Sequence, residues 1–446
     1  NADVRHAVAP GDQLKVALAI AHEVIMGGGS RFSGDSAVTG VLGKYNVSAV
    51  SQDTGVSASF MQKVAKDLQG ARGAGIVIGG GFTARGHLGV ALDVVAALLN
   101  SALDNDGATV DGTGNHGVVA SSATALDELR KDLDAGRVDA LILHRVNPAF
   151  ALASLGVNVD KAKLVVSTSR HADETALKAQ FICPDHHDLE NWGDAHPGRG
   201  VWSIRQPTIS PLHKTRAFED SLIAWGKSMG GGFAASWHDY VKAQWQGIQR
   251  EVGEGGAFGS FWEEALRRGV VYSKSALHGG RARSFRSGAL SQAVSAVVAP
   301  TAGLKLVVFP NVAMGDGRNS NNSWLQEFSE PVSRTTWGNV AALAPATAAK
   351  IGVKDGDIVH VKAGDITLEL QAQVQPGQHA DTVAVAMGYG RTAAGRVGNG
   401  VGTNASQFLR WTGSRINYTG DGASVTNTRA FKKLPCPQTH HTMEGP

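Results

Sequence analysis

Short apolar runs alternate with amphipathic stretches through the first half of the chain, and this alternation constrains the fold more than any other feature. Apolar residues three and four positions apart predict helices over four ranges: 12–27, 57–70, 89–104 and 123–134. Short apolar runs that end at glycine or polar residues predict strands over five ranges: 75–81, 107–112, 138–148, 162–169 and 180–185. Strands and helices in this order predict an α/β fold with a parallel sheet covered on both faces.

The place of a ligand follows from that sheet. Ligands of open parallel sheets bind beyond the carboxyl ends of the strands. We therefore expect a site in the segments that follow Ile78, His144 and Val166.

The middle of the chain departs from the alternation. Residues 186–216 are loop-like and rich in His, Asp, Gly and Trp, and residues 217–268 form a helical excursion. Tryptophans spaced along helices are most often core or subunit-contact residues, and we interpret Trp225, Trp237, Trp245 and Trp262 in this way. The apolar run at 303–311 is expected to return to the α/β region.

From about residue 330 short strands dominate. They are predicted at 357–363, 365–374 and 381–388, after a short helix at 346–351, with Gly, Asp and Pro turns between them. This pattern predicts a β-barrel followed by a glycine-rich tail after Tyr389. The predicted domains are therefore an α/β region over 1–329 and a barrel with its tail over 330–446.

Composition excludes several classes of protein. The only cysteines, Cys183 and Cys436, are too few for an iron–sulfur cluster or a four-thiolate zinc site, and we expect them to be structural or unpaired. A net charge of +3 without a Lys/Arg run gives no reason to expect nucleic acid as a partner. No apolar stretch reaches 18 residues, so no membrane span is predicted. Asn1 opens within a helical pattern, and we expect the sequence to begin inside a larger protein.

Two segments have residues of the kinds that bind ligands, but each also has a purely structural interpretation. The His-rich loop with His186, His187, His196 and His213 lacks the spacing that brings ligands to one helical face, so we favour a polar loop and predict no metal site. The glycine-rich GGGFTARG (79–86) either cradles an anion or forms a turn, and we favour the turn. No nucleophile and base are placed together, so no catalytic residues are predicted.

Several motifs resemble those of the molybdopterin oxidoreductases, in the family's order. They are VDALILHRVNPAF (138–150) and KLVVSTSRHADETALKAQFICPDHHDLENWGD (163–194). Two later segments, NVAMGDGRNSNNSWLQEFSEPVSRTTWGNVAAL (311–343) and MGYGRTAAGRVGNGVGTNA (387–405), fit a narrower group, the B-subunit family of alternative complex III. A narrower pattern, with His187, Leu189, Glu190, Trp192, Gly193 and Asp194 followed by Gln206, Pro207, Ile209, Pro211 and Leu212, resembles the B-subunit family of alternative complex III. The ending QTHHTMEG (438–445) fits the same group.

The resemblance implies a barrel of the double-psi type and a cleft between barrel and sheet. If a pterin dinucleotide were retained, it would contact six residues: Asn147, Pro148, Ser167, Ser169, Asn319 and Asn339. If none is retained, these residues make turns and helix caps, and the family comparison favours this. Asp173 and Glu174 would stand in the first turn of a helix.

The function implied is that of a scaffold without its own cofactor. The family's cluster-binding cysteines and its Ser, Cys or Asp molybdenum ligand are absent from these residues. The expected partners are an iron–sulfur protein or domain, heme-bearing cytochrome c subunits and an integral membrane quinol-binding subunit. The expected place is peripheral, on the periplasmic side of the bacterial inner membrane. The alternative is a catalytic molybdenum bis-pterin oxidoreductase of polysulfide- or sulfoxide-reductase type, carrying molybdopterin guanine dinucleotide.

Overall fold

The computed structural model describes residues 3–81, 84–112, 122–273, 283–297, 299, 302–413 and 415–437. Its first part is a helical layer of five helices, α1 to α5: Gln13–Met26, Ser36–Leu42, Val47–Thr54, Ala58–Gly70 and His87–Ala102. The apolar positions that predicted α1, including Leu14, Leu18 and Ile25, are completely buried against α5 and its neighbours. The helices predicted in this part are therefore confirmed.

A parallel sheet follows helix α6, Ala123–Asp134. Its strands are β1 (Ala140–Leu143), β2 (Leu164–Ser167) and β3 (Phe181–Ile182), paired in that order and in parallel. The predicted α/β class is confirmed. One face is open among the described residues, since Ile142, Leu164 and Phe181 are exposed, so the prediction that both faces are covered is wrong there.

Two further strands were predicted wrongly. Residues 75–81 are extended but pair with no strand among the described residues. The Asn100 side chain instead accepts from the Val77 N–H at 2.9 Å and donates to the Val77 carbonyl at 2.7 Å. Ile76 and Ile78 are exposed, contrary to a buried strand. Residues 107–112 form a turn in which three backbone N–H groups donate to the Asn105 carbonyl.

The helical excursion exists, and it packs on strands that the sequence did not predict. A short helix, α7, spans Pro148–Ala151, and the excursion consists of α8 (Phe218–Ser228), α9 (Trp237–Val252) and α10 (Phe258–Arg268). The segment expected to be a loop contains β4 (Gly193–Gly198) and β5 (Val201–Arg205). β5 is the central strand of an antiparallel sheet and pairs with β4 on one side and with β6 (Val270–Tyr272) on the other. Trp202, Trp245 and Trp262 form the core here, so the core interpretation of the latter two is confirmed.

The carboxyl-terminal part is a closed barrel. Six strands form it: β7 (Leu304–Pro310), β8 (Val340–Leu343), β9 (Asp357–Ala363), β10 (Ile366–Val374), β11 (Thr382–Met387) and β14 (Thr419–Phe431). A hairpin of β12 (Arg410–Thr412) and β13 (Arg415–Asn417) precedes the last strand. Helix α11 (Gly288–Val294) packs against α2 and α5 of the helical layer, and two short helices occur in the barrel part of the chain: α12 (Ser323–Glu327) and α13 (Pro345–Ile351). The predicted barrel is confirmed, and its double-psi type stays a prediction.

Two predictions about the barrel's limits were wrong. The run at 303–311 forms β7, which pairs with β11 and β14 and belongs to the barrel instead of the α/β region. The predicted tail contains β14, which closes the barrel between β7 and β9. One apolar core joins sheet and barrel, with Leu143 and Val165 in the same cluster as Leu306 and Val385. Strand β7 therefore places part of the barrel before residue 329, where the sequence had predicted the α/β region. Among the described helices, none combines the length and apolar character needed to span a bilayer.

Candidate functional site

A cleft lies where the carboxyl ends of β1 and β2 meet the barrel, as the parallel sheet predicts. It consists of two adjoining cavities of about 370 and 360 Å³. Both are bordered by Val146, Asn147, Ala151 and Asp316. The first cavity is apolar and the second is polar, so the cleft divides chemically at Asn147.

A buried ion pair lies beside the polar cavity, which Arg391 borders. The Arg391 guanidinium donates to both carboxylate oxygens of Glu174, with Nε at 2.9 Å from each and Nη2 at 2.7 Å from one. The two side chains are only 6% and 12% exposed. Arg391 also donates to the Gly317 carbonyl at 2.6 Å and lies over the ring of Phe150. The pair therefore ties the loop after β2 to the barrel.

The Glu174 carboxylate accepts further hydrogen bonds from its surroundings. The Asn147 amide donates to it at 2.7 Å, and the backbone N–H groups of Thr392 and Ala393 donate at 2.8 and 3.0 Å. Burial by itself raises the pKa of Glu174, but the hydrogen bonds from Arg391, Ala393 and Asn147 lower it more strongly. The net pKa lies well below its usual range, so this carboxylate stays ionised. The sequence had placed Glu174 in a first helical turn, whereas the short helical turn here begins only at Ala176.

The loop after β1 supplies a second ion-pair group, which sequence reasoning missed. Arg145 has a left-handed backbone with φ of 54° and donates to Asp185 at 2.7 Å and to Asp188 at 2.6 Å. Burial lowers the pKa of Arg145, but its hydrogen bonds to Asp188 and Asp185 raise it above the usual value. A positive φ on a non-glycine residue requires support from its surroundings. In the sequence, the only indication of a site role for Arg145 is its position between the end of β1 and the Asn147-Pro148 turn.

The structure brings four of the six predicted site residues to the cleft. Asn147 and Pro148 border the apolar cavity, and Ser169 and Asn319 join Asn147 around the polar one. Each of the polar side chains already forms a hydrogen bond within the protein. The Ser169 hydroxyl donates to Asp173 at 2.7 Å, and the Asn319 amide donates to the Ala313 carbonyl at 2.9 Å. The side-chain oxygen Oδ1 of Asn147 accepts from the Thr175 hydroxyl at 2.6 Å.

The other two predicted residues do not line the cleft. Ser167 is completely buried, and its hydroxyl accepts from the Ser169 backbone N–H. Asn339 lies within the barrel, where its amide donates to the Ala386 and Thr403 carbonyls and accepts from the Thr403 N–H. In this structure these hydrogen bonds connect Asn339 to the backbone of the barrel part of the chain.

The apolar cavity is lined by side chains from α6, β1 and the barrel. Leu126 and Leu129 face Leu143 and Phe150, with Met387 on the barrel side. Such a lining offers few partners to the charged phosphates of a dinucleotide.

The other segments singled out in the sequence lie apart from any cluster of ligands. His186 pairs with the Thr215 hydroxyl at 2.6 Å, and His196 stacks on Trp202. Within the described ranges, no three His, Cys, Asp or Glu side chains are grouped to hold a metal ion. Cys183 and Cys436 are free thiols. Of the glycine-rich 79–86, Phe82 and Thr83 lie outside the described residues, as do residues 438–445.

Comparisons with known proteins agree with this architecture. Residues 314–412 match the family model of the molydopterin dinucleotide binding domain. The structure superposes on acetylene hydratase from Pelobacter acetylenicus with a TM-score of 0.67, over 94% of this chain and 70% of that one, at 14% sequence identity. The chain has the molybdopterin-oxidoreductase fold. The superfamily resemblance seen in the sequence is thereby confirmed.

A curated relative narrows the comparison. The chain is 25% identical to the "menaquinone reductase, molybdopterin-binding-like subunit" of Nitratidesulfovibrio vulgaris, over 92% of this chain. The match covers 62% of that relative's length. The chain is therefore similar to a subunit of a quinone-oxidoreductase complex.

Proposed function

We propose that this chain is a non-catalytic scaffold subunit of a membrane-attached quinol:electron-acceptor oxidoreductase resembling alternative complex III. The observation that carries the proposal is the state of the cleft. Side chains that the molybdopterin-oxidoreductase fold would offer to a pterin dinucleotide form hydrogen bonds within the protein instead. Asn147, for example, donates to the carboxylate of the Glu174–Arg391 pair.

The fit of a dinucleotide is judged from the hydrogen-bond partners. A cleft adapted to phosphates and a guanine leaves donors and acceptors without protein partners, because the ligand supplies them. In the described part of the chain, the buried side-chain atoms without partners belong to Gln326, Gln373, Gln378 and Thr382. None of these residues borders either cavity. The Asn147, Ser169 and Asn319 side chains also have protein partners, and under the proposal we assign no chemical step to a dinucleotide.

The curated relative supports the complex. Its name describes a molybdopterin-binding-like subunit of a menaquinone reductase, which matches a subunit in a quinone-linked assembly. Under the proposal, electrons pass through iron–sulfur clusters and hemes held by partner subunits. A membrane subunit binds the quinol, and this chain positions those partners on the periplasmic side of the membrane.

Activity of the assembled complex tests the proposal. Asn147→Ala and Asn319→Ala remove two amides that would face a pterin, and both variants should oxidise quinol within about twofold of wild type. Asn158→Ala, at an exposed asparagine outside the cleft, is the matched control. A loss of about a hundredfold in a fully assembled complex, for the cleft variants only, would instead support the catalytic molybdenum enzyme.

A further inference from the structure

Three apolar side chains of the narrow motif at 187–212 are exposed and border neither cavity of the cleft. Leu189, Ile209 and Leu212 are 48%, 40% and 73% exposed. Their segments are joined because the backbone N–H groups of Thr208 and Ile209 both donate to the Leu189 carbonyl, at 2.7 and 3.1 Å. The three side chains thus belong to one pair of adjoining loops. We name them the leucine patch.

The Glu190 carboxylate holds this patch in place. One of its oxygens accepts from the Leu212 N–H at 2.9 Å, and the other accepts from the His187 N–H at 2.8 Å. The loop is fixed at two further points, by the Gln206 side chain on the Leu266 carbonyl at 3.0 Å and by the Arg216 N–H on the Pro184 carbonyl at 3.1 Å. A loop fixed in this way loses little entropy when a partner binds it.

The two carboxylates beside Leu189 are engaged within the protein: Asp188 pairs with Arg145 and Arg205, and Glu190 accepts from two backbone N–H groups. Residues 195–218 contain four Lys or Arg and no Asp or Glu. Lys214 and Arg216 follow Leu212 closely and are exposed, and neither forms a salt bridge within the described part of the chain. Arg205 pairs with Asp188, and the two remaining basic residues beside Leu212, Lys214 and Arg216, fall short of the four to eight that mark an anionic-membrane site. A protein partner with acidic side chains is the better match.

We propose that the leucine patch docks an acidic segment of a partner subunit, one that presents apolar side chains to Leu189, Ile209 and Leu212. This inference rests on the proposed scaffold function and deepens it by naming the surface and the chemistry of the partner. Apolar contacts supply the affinity, and the basic rim selects and orients the acidic segment.

Purification of the intact complex through a tag on this chain tests the proposal. Leu212→Asp places a like-charged carboxylate against the acidic partner, and we expect at least one subunit to be retained about tenfold less than in wild type. Lys214→Glu with Arg216→Glu should weaken retention further as salt is lowered, because repulsion is then less screened. The control is Leu177→Asp, at a leucine that is 66% exposed but lies outside the patch, and it should retain every subunit.

Photocrosslinking identifies the occupant. A benzoylphenylalanine at position 212 should crosslink, in the purified complex, to a peptide of the subunit lost from Leu212→Asp, with acidic residues beside apolar ones. Full retention of all subunits by Leu212→Asp would overturn the proposal. So would a crosslink to lipid alone, or binding of the isolated chain to phosphatidylglycerol vesicles that Leu212→Asp abolishes. Molybdenum in the same complex would reject the scaffold function while leaving a patch-dependent retention valid, so the two failures are distinguishable.

Discussion

At the scale of single residues, Glu174 and Arg391 lie 217 positions apart and form an ion pair that links the sheet to the barrel. No local pattern in the sequence predicts such a pair. Asn147 and Asn319 could be placed at turns after strands, and the structure confirms that they border the cleft. Their partners could not be predicted, because those partners come from segments distant in the sequence.

Removing one member of the pair should be costly. Arg391→Ala leaves the Glu174 carboxylate buried without its cation, and we expect the free energy of unfolding to fall by about 3–5 kcal/mol. Denaturant titration measures this change. Arg318→Ala is the matched control, because its pair with Asp316 is exposed and should contribute less than about 1 kcal/mol. Equal losses in the two variants would contradict the account.

The pair also predicts a pH dependence. The folded-state pKa of Glu174 lies below its ordinary 4.5, so the ionised carboxylate stabilises the fold above that pH and the contribution is lost as pH falls. The stability difference between wild type and Glu174→Gln should be constant from about pH 7 to pH 5.5 and shrink below about pH 4.5. Denaturation midpoints across this range measure it. A difference that grows as the pH falls would show the opposite sign and reject the assignment.

Asn339 gives a third test at this scale. Its amide makes three hydrogen bonds to the barrel backbone, one buried and two part-buried, and Asn339→Ala removes all three. We expect a loss of about 2–4 kcal/mol in stability. Asn158→Ala, at an exposed site, should change stability by less than about 0.5 kcal/mol. A neutral Asn339→Ala would return this residue to the list of possible ligand contacts.

At the scale of elements, the sequence predicted those with strong periodicity and missed those without it. Strands β9 to β11 have apolar residues or clear alternation, and they were predicted to within about a residue. Strand β14 was missed because TGDGASVTNTRAF is rich in Gly, Thr and Asn and resembles a tail. The run at 75–81 failed in the opposite way. Its apolar residues are typical of a buried strand, yet it pairs with no strand in the described part of the chain, and Ile76 and Ile78 are exposed.

The tryptophan core gives an element-scale prediction. Trp245 is completely buried, and its indole N–H donates to Asp194 at 3.0 Å across the junction of α9 and β4. Trp245→Ala should cost about 3–5 kcal/mol by leaving a cavity. Hydrogen exchange followed by mass spectrometry should show faster exchange in 193–205 and 237–268 while 357–374 remains protected. Uniformly faster exchange along the chain would contradict a separate core for these elements.

At the scale of the whole molecule, the sequence predicted the fold class, the barrel and the cleft between barrel and sheet. The count of two cysteines already argued against an iron–sulfur cluster held by these residues. The three-stranded antiparallel sheet and the contents of the cleft could not be predicted, because both depend on contacts between distant segments. The scaffold function therefore depends on whether a cleft whose polar side chains already form hydrogen bonds within the protein still binds a pterin.

Metal and pterin analysis of the complex, purified through this chain, tests that claim most directly. Molybdenum and tungsten are measured by mass spectrometry, and pterin is measured by fluorescence after oxidative extraction, both per mole of this chain. The account predicts less than about 0.1 mole of either metal and no pterin, beside iron in the partner subunits. About one mole of molybdenum or tungsten with two of pterin would contradict it and identify the chain as part of a catalytic bis-pterin oxidoreductase.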